Sequence, residues 1–171
     1  MAGTVKLPDA ESVKTVARKL LKDLGINEPP VDLIQVARHL NAEIVLSDEL
    51  PEEVHGTVVP VKSGSFLILV NVFICEARRN FTIAHELAHI ALRHHRIAKV
   101  LTSTANISPS KDVEKKIERL ADAFASELLM PKHWVRKYVN AYGTDVKELA
   151  EIFMVSHEAM RIRLKELKLI P

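Results

Sequence analysis

Residues 81–95 read FTIAHELAHIALRHH and hold four of the eight histidines of the chain. Within this stretch, His85, Glu86 and His89 form the pattern HExxH. Residues four apart share one face of a helix, so His85 and His89 can bind the same ion through imidazole nitrogen, which zinc favours. Glu86 follows His85 directly and is placed to act as the catalytic general base toward water at that ion. The stretch therefore predicts a helix that carries a site for one Zn²⁺ ion.

The alternative for these histidines is an ordinary amphipathic helix on which they are solvated or satisfied in the core. The residues on or beside the histidine face are apolar, and they are Phe81, Ala84, Ala88, Ala91 and Leu92. An unpaired imidazole facing such a surface is costly. The metal site is therefore the favoured interpretation.

The third metal ligand has two candidates, and the first of them is His95. It follows His89 by six residues, as in the extended pattern HExxHxxGxxH, but Leu92 stands where that pattern has its helix-ending glycine. A helix that continued would turn His95 roughly 240° away from His89, because each residue advances about 100°. His95 is therefore not expected to be a ligand, and it is interpreted with His94 as a polar helix end.

The second candidate is Glu118, in the block ERLADAFA at residues 118–125. Glu118 and Asp122 form another pair four residues apart, among alanines that allow two helices to approach closely. We expect Glu118 to supply the third ligand and Asp122 to accept the outer ring N–H of a zinc histidine. The competing interpretation is a solvated pair of carboxylates on an exposed face.

The bulk properties set the class of protein. A chain of 171 residues with 47% hydrophobic and 27% charged residues is expected to form a single domain over residues 1–171. The single cysteine, Cys75, suggests a reducing, cytoplasmic setting and is expected to be buried beside Val72, Phe73 and Ile74. A net charge of +2 argues against bulk nucleic acid as a partner, and no apolar run is long enough to cross a membrane.

The pattern along the chain predicts a mainly helical α+β fold with a small three-stranded sheet. Helical stripes cover residues 9–24, 31–40, about 76–95 and 111–129, and two or three helices follow Pro131. Strand-like runs cover residues 43–46, 55–61 and 65–71. The last of these lacks alternation and is expected to be buried on both faces. Pro60 cannot donate to a ladder, so its strand is expected at a sheet edge, where an extended substrate could pair with Gly56–Val59.

Residues 145–168 form a helix-turn-helix-like subregion that is expected to pack on the peptidase domain. Its second helix carries four basic residues, Arg161, Arg163, Lys165 and Lys168. Two rival functions follow: a DNA-binding module, or an antitoxin-like interaction protein, each with a non-catalytic zinc site. Against DNA binding, Met154 occupies the turn position that usually favours glycine, and several glutamates dilute the basic charge. Against a purely structural zinc site, Glu86 is intact.

The chain resembles the ImmA/IrrE family of metallo-endopeptidases, which combine HExxH with a distant glutamate. The resemblance rests on RRNFTIAHELAHIAL at residues 78–92 and ERLADAFASELLMP at residues 118–131, and it extends over most of the chain from about Pro30. One departure is Asp122, where many relatives have asparagine.

The resemblance implies a cytoplasmic zinc peptidase that acts in stress response and transcription regulation. Its protein substrate would be a helix-turn-helix repressor, and direct DNA binding is not expected. The same resemblance gives His85, His89 and Glu118 as metal ligands and Glu86 as the catalytic residue. Nothing in the sequence singles out the residue that stabilises the oxyanion, and His133, Tyr138 and Tyr142 stay open as candidates.

Overall fold

The computed structural model describes residues 7–61, 64–94 and 110–171. Two helices precede the sheet, α1 (Ala10–Asp23) and α2 (Leu33–His39). Asp9 caps α1 by accepting a hydrogen bond from the Ser12 N–H. Gly25 follows α1 with a positive φ of 68°, a conformation that favours glycine. Both helices lie where the apolar periodicity predicted them.

The sheet has three strands, β1 (Ala42–Ser47), β2 (Gly56–Pro60) and β3 (Phe66–Asn71), in the order β1-β3-β2. β1 pairs with β3 in parallel, and β2 pairs with β3 in antiparallel fashion. The expectation that this strand is buried on both faces holds for one face of the central strand β3, where Ile68 and Val70 are fully buried, whereas Leu67 and Leu69 on the other face are half-buried. The edge position predicted for the strand of Pro60 is also confirmed.

The register of β2 determines which of its backbone groups face outward. Asn71 donates to the carbonyl of His55, and Val61 donates to the carbonyl of Ser65. Hydrogen-bonded pairs alternate along an antiparallel ladder, so the intervening even-numbered residues turn their N–H and C=O groups to the open edge. Gly56, Val58 and Pro60 are these residues, and proline is tolerated at residue 60 because no N–H is needed there.

Two long helices form the centre of the molecule, α3 (Glu76–Ala91) and α4 (Lys111–Leu129). They pack closely because fully buried alanines lie on both, and these are Ala84, Ala88, Ala121 and Ala125. The prediction that the first of these helices continues to residue 95 is wrong. α3 ends at Ala91, and Arg93 then takes the left-handed conformation with φ of 56°.

Three helices complete the fold, α5 (Lys132–Tyr142), α6 (Val146–Phe153) and α7 (His157–Glu166). α6 and α7 contribute apolar side chains to the same hydrophobic core as α1, α3 and α4, among them Leu149, Phe153, Met160 and Leu164. Met154, between the two helices, takes the left-handed conformation. Methionine at this position therefore does not prevent a helix-turn-helix-like turn, contrary to the argument made from sequence.

A buried ion pair joins α7 to α4. Arg163 is 2% exposed and Glu127 is 1% exposed, and the guanidinium of Arg163 donates to the Glu127 carboxylate. Arg18 of α1 donates to the same carboxylate at 3.0 Å. Arg163 was counted among the four basic residues on which the DNA-binding alternative depends, but it is not available to DNA because Glu127 draws it into the core.

None of the helices in the described ranges combines the length and the apolar character needed to cross a bilayer.

Candidate metal centre

His85 and His89 point from one face of α3 toward a carboxylate on α4. Their Nε2 atoms lie 3.1 Å apart. Glu118 Oε2 lies 3.0 Å from His85 Nε2, and Glu118 Oε1 lies 3.6 Å from His89 Nε2. His85 and His89 are one helical turn apart on α3, and Glu118 follows His89 by 29 residues in the chain. The close packing of α3 on α4 brings all three side chains together. These are the three residues that the sequence analysis selected as ligands.

The spacing of these atoms fits a tetrahedral ion. Two ligand atoms held at about 2.1 Å from one zinc ion lie roughly 3.4 Å apart. The observed separations, from 3.0 to 3.6 Å, bracket that value. The donor set of two imidazoles and one carboxylate is also one that catalytic zinc uses, since it leaves a fourth position open.

Asp122 supports this arrangement from the outer side of His85. Its Oδ1 lies 2.9 Å from His85 Nδ1. A neutral His85 that donates its Nδ1 proton to Asp122 has a lone pair on Nε2, which then faces the Glu118 carboxylate. Two acceptors at 3.0 Å repel each other unless a cation or an added proton lies between them. The cluster therefore favours a positive charge at its centre.

The two histidines differ in their affinity for a proton. Burial opposes protonation of His85, but the hydrogen bond to Asp122 and the charges of Asp122, Glu118 and Glu86 outweigh it and raise the pKa of His85. Burial and the neighbouring His85 lower the pKa of His89 to about 4. A proton in the metal-free cluster therefore resides on His85, and His89 offers its lone pair over a wide pH range.

Glu86 lies between α3 and the edge strand. Burial and the charge of Glu118 raise the pKa of Glu86, whereas the charge of His85 and a hydrogen bond from the Val58 backbone N–H lower it. Burial is the largest of these effects, and the pKa of Glu86 is raised overall. Gly56 allows this approach, because a β-carbon there would lie 2.5 Å from Thr82 Cγ2 and 3.8 Å from Glu86 Cγ. A carboxylate with a raised pKa beside this cluster holds a proton more readily than an ordinary glutamate does, which suits a group that takes a proton from water.

His94 contacts the cluster, which the sequence did not predict. It is 4% exposed, and its Nδ1 lies 3.0 Å from Nδ1 of His89. The interpretation of His94 as a polar helix end is therefore wrong. No sequence pattern signalled the contact, because it depends on the left-handed turn at Arg93. His95 lies outside the described residues, and the argument that a continuing helix would turn it away does not hold.

The remaining sequence candidates are less connected to the cluster. His133 packs its ring against Trp134, which is buried. Tyr138 stacks on Tyr142. Cys75, the N-cap residue of α3, is exposed, contrary to the expectation of a buried thiol, because Val72 and Phe73, which were expected to cover it, are themselves exposed.

A known protein family matches the part of the chain that contains His85, His89 and Glu118. The sequence model of the peptidase M78 family, described as the IrrE N-terminal-like domain, matches residues 55–165. The fold and the HExxH helix are thus those of a metallopeptidase class whose members depend on zinc. Since the match covers more than half of the chain, the protein belongs to the ImmA/IrrE family.

Solved structures add a likeness of fold. A Mycobacterium tuberculosis transcriptional regulator aligns with a TM-score of 0.69 at 20% sequence identity. The alignment covers 90% of this chain and 46% of that protein, so the chain spans about half the length of its structural neighbour. No curated protein sequence matches the chain significantly.

Proposed function

We propose that this protein is a zinc-dependent endopeptidase that cleaves a helix-turn-helix transcriptional repressor. The observation that carries the proposal is the convergence of His85, His89 and Glu118 at ligand spacing, beside a half-buried Glu86. Family membership supports a protein substrate, and the structural neighbour that is a transcriptional regulator supports a role in transcription.

In this proposal His85, His89 and Glu118 hold one zinc ion, and Glu86 is the general base. When bound, zinc supplies a Lewis acid that makes water acidic and polarises a peptide carbonyl. Glu86 accepts the proton of the attacking water and passes it to the leaving amine. Asp122 holds the ring of His85 in orientation, and the Val58 N–H holds the carboxylate of Glu86 toward the edge strand.

The substrate would bind as an added strand along β2. Gly56 and Val58 turn backbone groups to the open edge, and the Val58 N–H is already used by Glu86. A substrate chain would therefore pair with the Gly56 N–H and with the carbonyls of Gly56 and Val58. Its scissile carbonyl would then pass over the face of α3 that carries Glu86.

Two roles are proposed for the C-terminal part of the chain. Residues 145–168 would form a subregion of a single peptidase domain and would contact the protein substrate away from the cleaved bond. Zinc chemistry alone does not select one protein, so such contacts are needed for specificity. The outward face of α7 suits a protein surface because it mixes charges with an exposed Ile162, and it comprises His157, Glu158, Arg161, Ile162 and Lys165.

The test is incubation of the zinc-loaded protein with the product of a neighbouring repressor gene, followed by mass spectrometry. Glu86→Gln is the matched control, because it keeps the shape and the ligands but cannot accept the proton. We expect one or a few cleavage products with the wild type and none with Glu86→Gln. An intact repressor would contradict the proposed substrate, and equal cleavage by both proteins would contradict the role of Glu86.

DNA binding is a second candidate, and the left-handed Met154 between α6 and α7 is the observation that favours it. Of the basic residues predicted for a DNA surface, Arg163 is buried and only Arg161, Lys165 and Lys168 remain exposed. An electrophoretic shift assay at near-physiological salt, with Arg161→Glu as control, separates the two functions. Tight binding that depends on Arg161 would favour the DNA-binding module.

A further inference from the structure

His94 lies directly behind one of the two histidines of the cluster. Its side chain is buried, and its Nδ1 faces Nδ1 of His89 at 3.0 Å. The opposite ring nitrogen of His89, Nε2, faces His85 and Glu118. The ring of His89 is therefore held between the ligand cluster on one side and His94 on the other.

The chain makes a specific turn to bring His94 to this position. The Leu92 N–H donates to the carbonyl of Ala88, and the Arg93 N–H donates to the carbonyl of Ile90. These two hydrogen bonds close the last turn of α3. Arg93 then takes a left-handed conformation with φ of 56°. A residue with a β-carbon adopts this conformation at a free-energy cost, so other contacts must hold the turn. The burial of the next side chain, His94, is one such contact.

The proton positions follow from the geometry. A neutral imidazole that offers the Nε2 lone pair to an ion carries its proton on Nδ1. Two Nδ1 atoms at 3.0 Å form a hydrogen bond only when one donates and the other accepts. His89 must then donate, and His94 must accept through its own Nδ1 lone pair.

We propose that His94 is a positioning residue that orients His89 and fixes its tautomer for metal binding. The inference rests on the proposed zinc site and adds a residue that the ligand motif does not contain. The two ligand histidines are then supported differently, His85 by the carboxylate of Asp122 and His89 by an imidazole. Such outer partners of metal-bound histidines commonly change metal affinity by about 10- to 100-fold.

The test measures zinc affinity by competition with a chromophoric chelator for the wild type and two variants. His94→Leu fills a similar volume but cannot accept a hydrogen bond. His94→Asn places an amide oxygen near the position of Nδ1 and can still accept. We expect the dissociation constant of His94→Leu to rise by about 10- to 100-fold, and that of His94→Asn to stay within about threefold of the wild type.

Two further measurements separate positioning from folding. The d–d absorption spectrum of the cobalt(II)-loaded protein should change in His94→Leu and be retained in His94→Asn, since it reports the geometry of the ligands. His39→Leu, at an exposed histidine of α2, is the control and should change neither the affinity nor the spectrum. Should His94→Leu fail to fold, His94→Gln replaces it, because its amide reaches the position of Nε2 and not that of Nδ1.

The results separate the role of His94 from the proposed zinc site on which it depends. A wild type that binds no zinc would overturn the proposed metal site. Zinc binding of wild-type strength in His94→Leu, or equal affinities of His94→Asn and His94→Gln, would overturn the role of His94 and leave the site intact.

Discussion

Gly56 of β2 lies against Thr82 of α3 so closely that a β-carbon at residue 56 would be 2.5 Å from Thr82 Cγ2. Two non-bonded carbon atoms do not approach so closely, so the strand and the helix can meet here only because residue 56 is glycine. The same contact brings the Val58 N–H to Glu86. The edge strand and the helix of the HExxH pattern are therefore positioned by one small residue.

The first prediction concerns this contact. Gly56→Ala should displace β2 from α3 and move the Val58 N–H away from Glu86, which would lower turnover by about 10- to 100-fold. Thr82→Ser removes the clashing methyl group, so the double variant should recover part of the turnover while Thr82→Ser alone stays close to wild type. The measurement is repressor cleavage beside zinc content. Full activity of Gly56→Ala, or no recovery in the double variant, would contradict the positioning role.

The second prediction concerns the ligand set. His85→Ala, His89→Ala and Glu118→Ala should each remove most bound zinc, since two remaining ligands rarely hold the ion firmly. Glu114→Ala, one turn earlier on the same face of α4, is the matched control and should retain zinc.

His95→Ala should also retain zinc, and metal analysis of the purified variants decides the matter. Normal zinc content in Glu118→Ala together with loss in His95→Ala would reverse the assignment of the third ligand.

The third prediction concerns protons. The pKa of His85 is raised from 6.5 and that of His89 is lowered to about 4, so near pH 6 in the metal-free protein His85 is the doubly protonated cation and His89 is neutral. Zinc binding at that pH should displace close to one proton from the two histidines. Zinc affinity should therefore fall as the pH is lowered through the pKa of His85, where the proton competes for Nε2.

Calorimetric titrations in buffers of different ionisation enthalpy count the displaced protons. Asp122→Asn removes the acceptor charge that raises the pKa of His85, so it should displace fewer protons at the same pH. A displacement of two protons near pH 6 would show that both histidines are protonated in the metal-free protein.

The fourth prediction concerns the buried Arg163–Glu127 pair. Glu127→Ala leaves the guanidinium of Arg163 without its buried partner, and the free energy of unfolding should fall by about 3–5 kcal/mol. Replacing both residues by methionine should cost less than Glu127→Ala, because no charge then stays unpaired in the core. Urea denaturation measures both changes.

Arg161 provides the control, since it is exposed on α7 and Arg161→Ala should change stability by less than about 0.5 kcal/mol. A Glu127→Ala variant as stable as Arg161→Ala would show that the ion pair contributes little to the fold.

Local patterns predicted the parts of this molecule that depend on near neighbours. The HExxH spacing places two histidines on one face of a helix, and the missing N–H of Pro60 places its strand at a sheet edge. The alanines of the two central helices allow close packing. Each of these features depends on residues within one turn or one strand, and each is found where the sequence indicated. The convergence of Glu118 with His85 was also foreseeable, because the alanines beside Glu118 let the two helices approach closely, although Glu118 and Asp122 both stay exposed.

The errors have a common physical origin in contacts between distant residues. Leu92 and Arg93 are good helix formers, so their sequence predicts a continuing helix, yet the burial of His94 against His89 accompanies a reversal at Arg93. Arg163 resembles a surface cation until Glu127, 36 residues earlier, is brought beside it. Helical periodicity predicts which face of a helix is apolar, but it does not predict which side chain of another helix will contact a given residue.

An open strand edge that accepts a substrate also accepts another copy of the same chain, and this makes β2 a point of weakness for the protein in concentrated solution. Val59 within β2 and Val61 just after it are exposed, which would favour sheet-to-sheet aggregation. Pro60 interrupts the outward-facing row of donors after Val58 and leaves only a short stretch of strand to pair. A second copy that paired with β2 would therefore be held by only a few hydrogen bonds, which limits the growth of such a sheet.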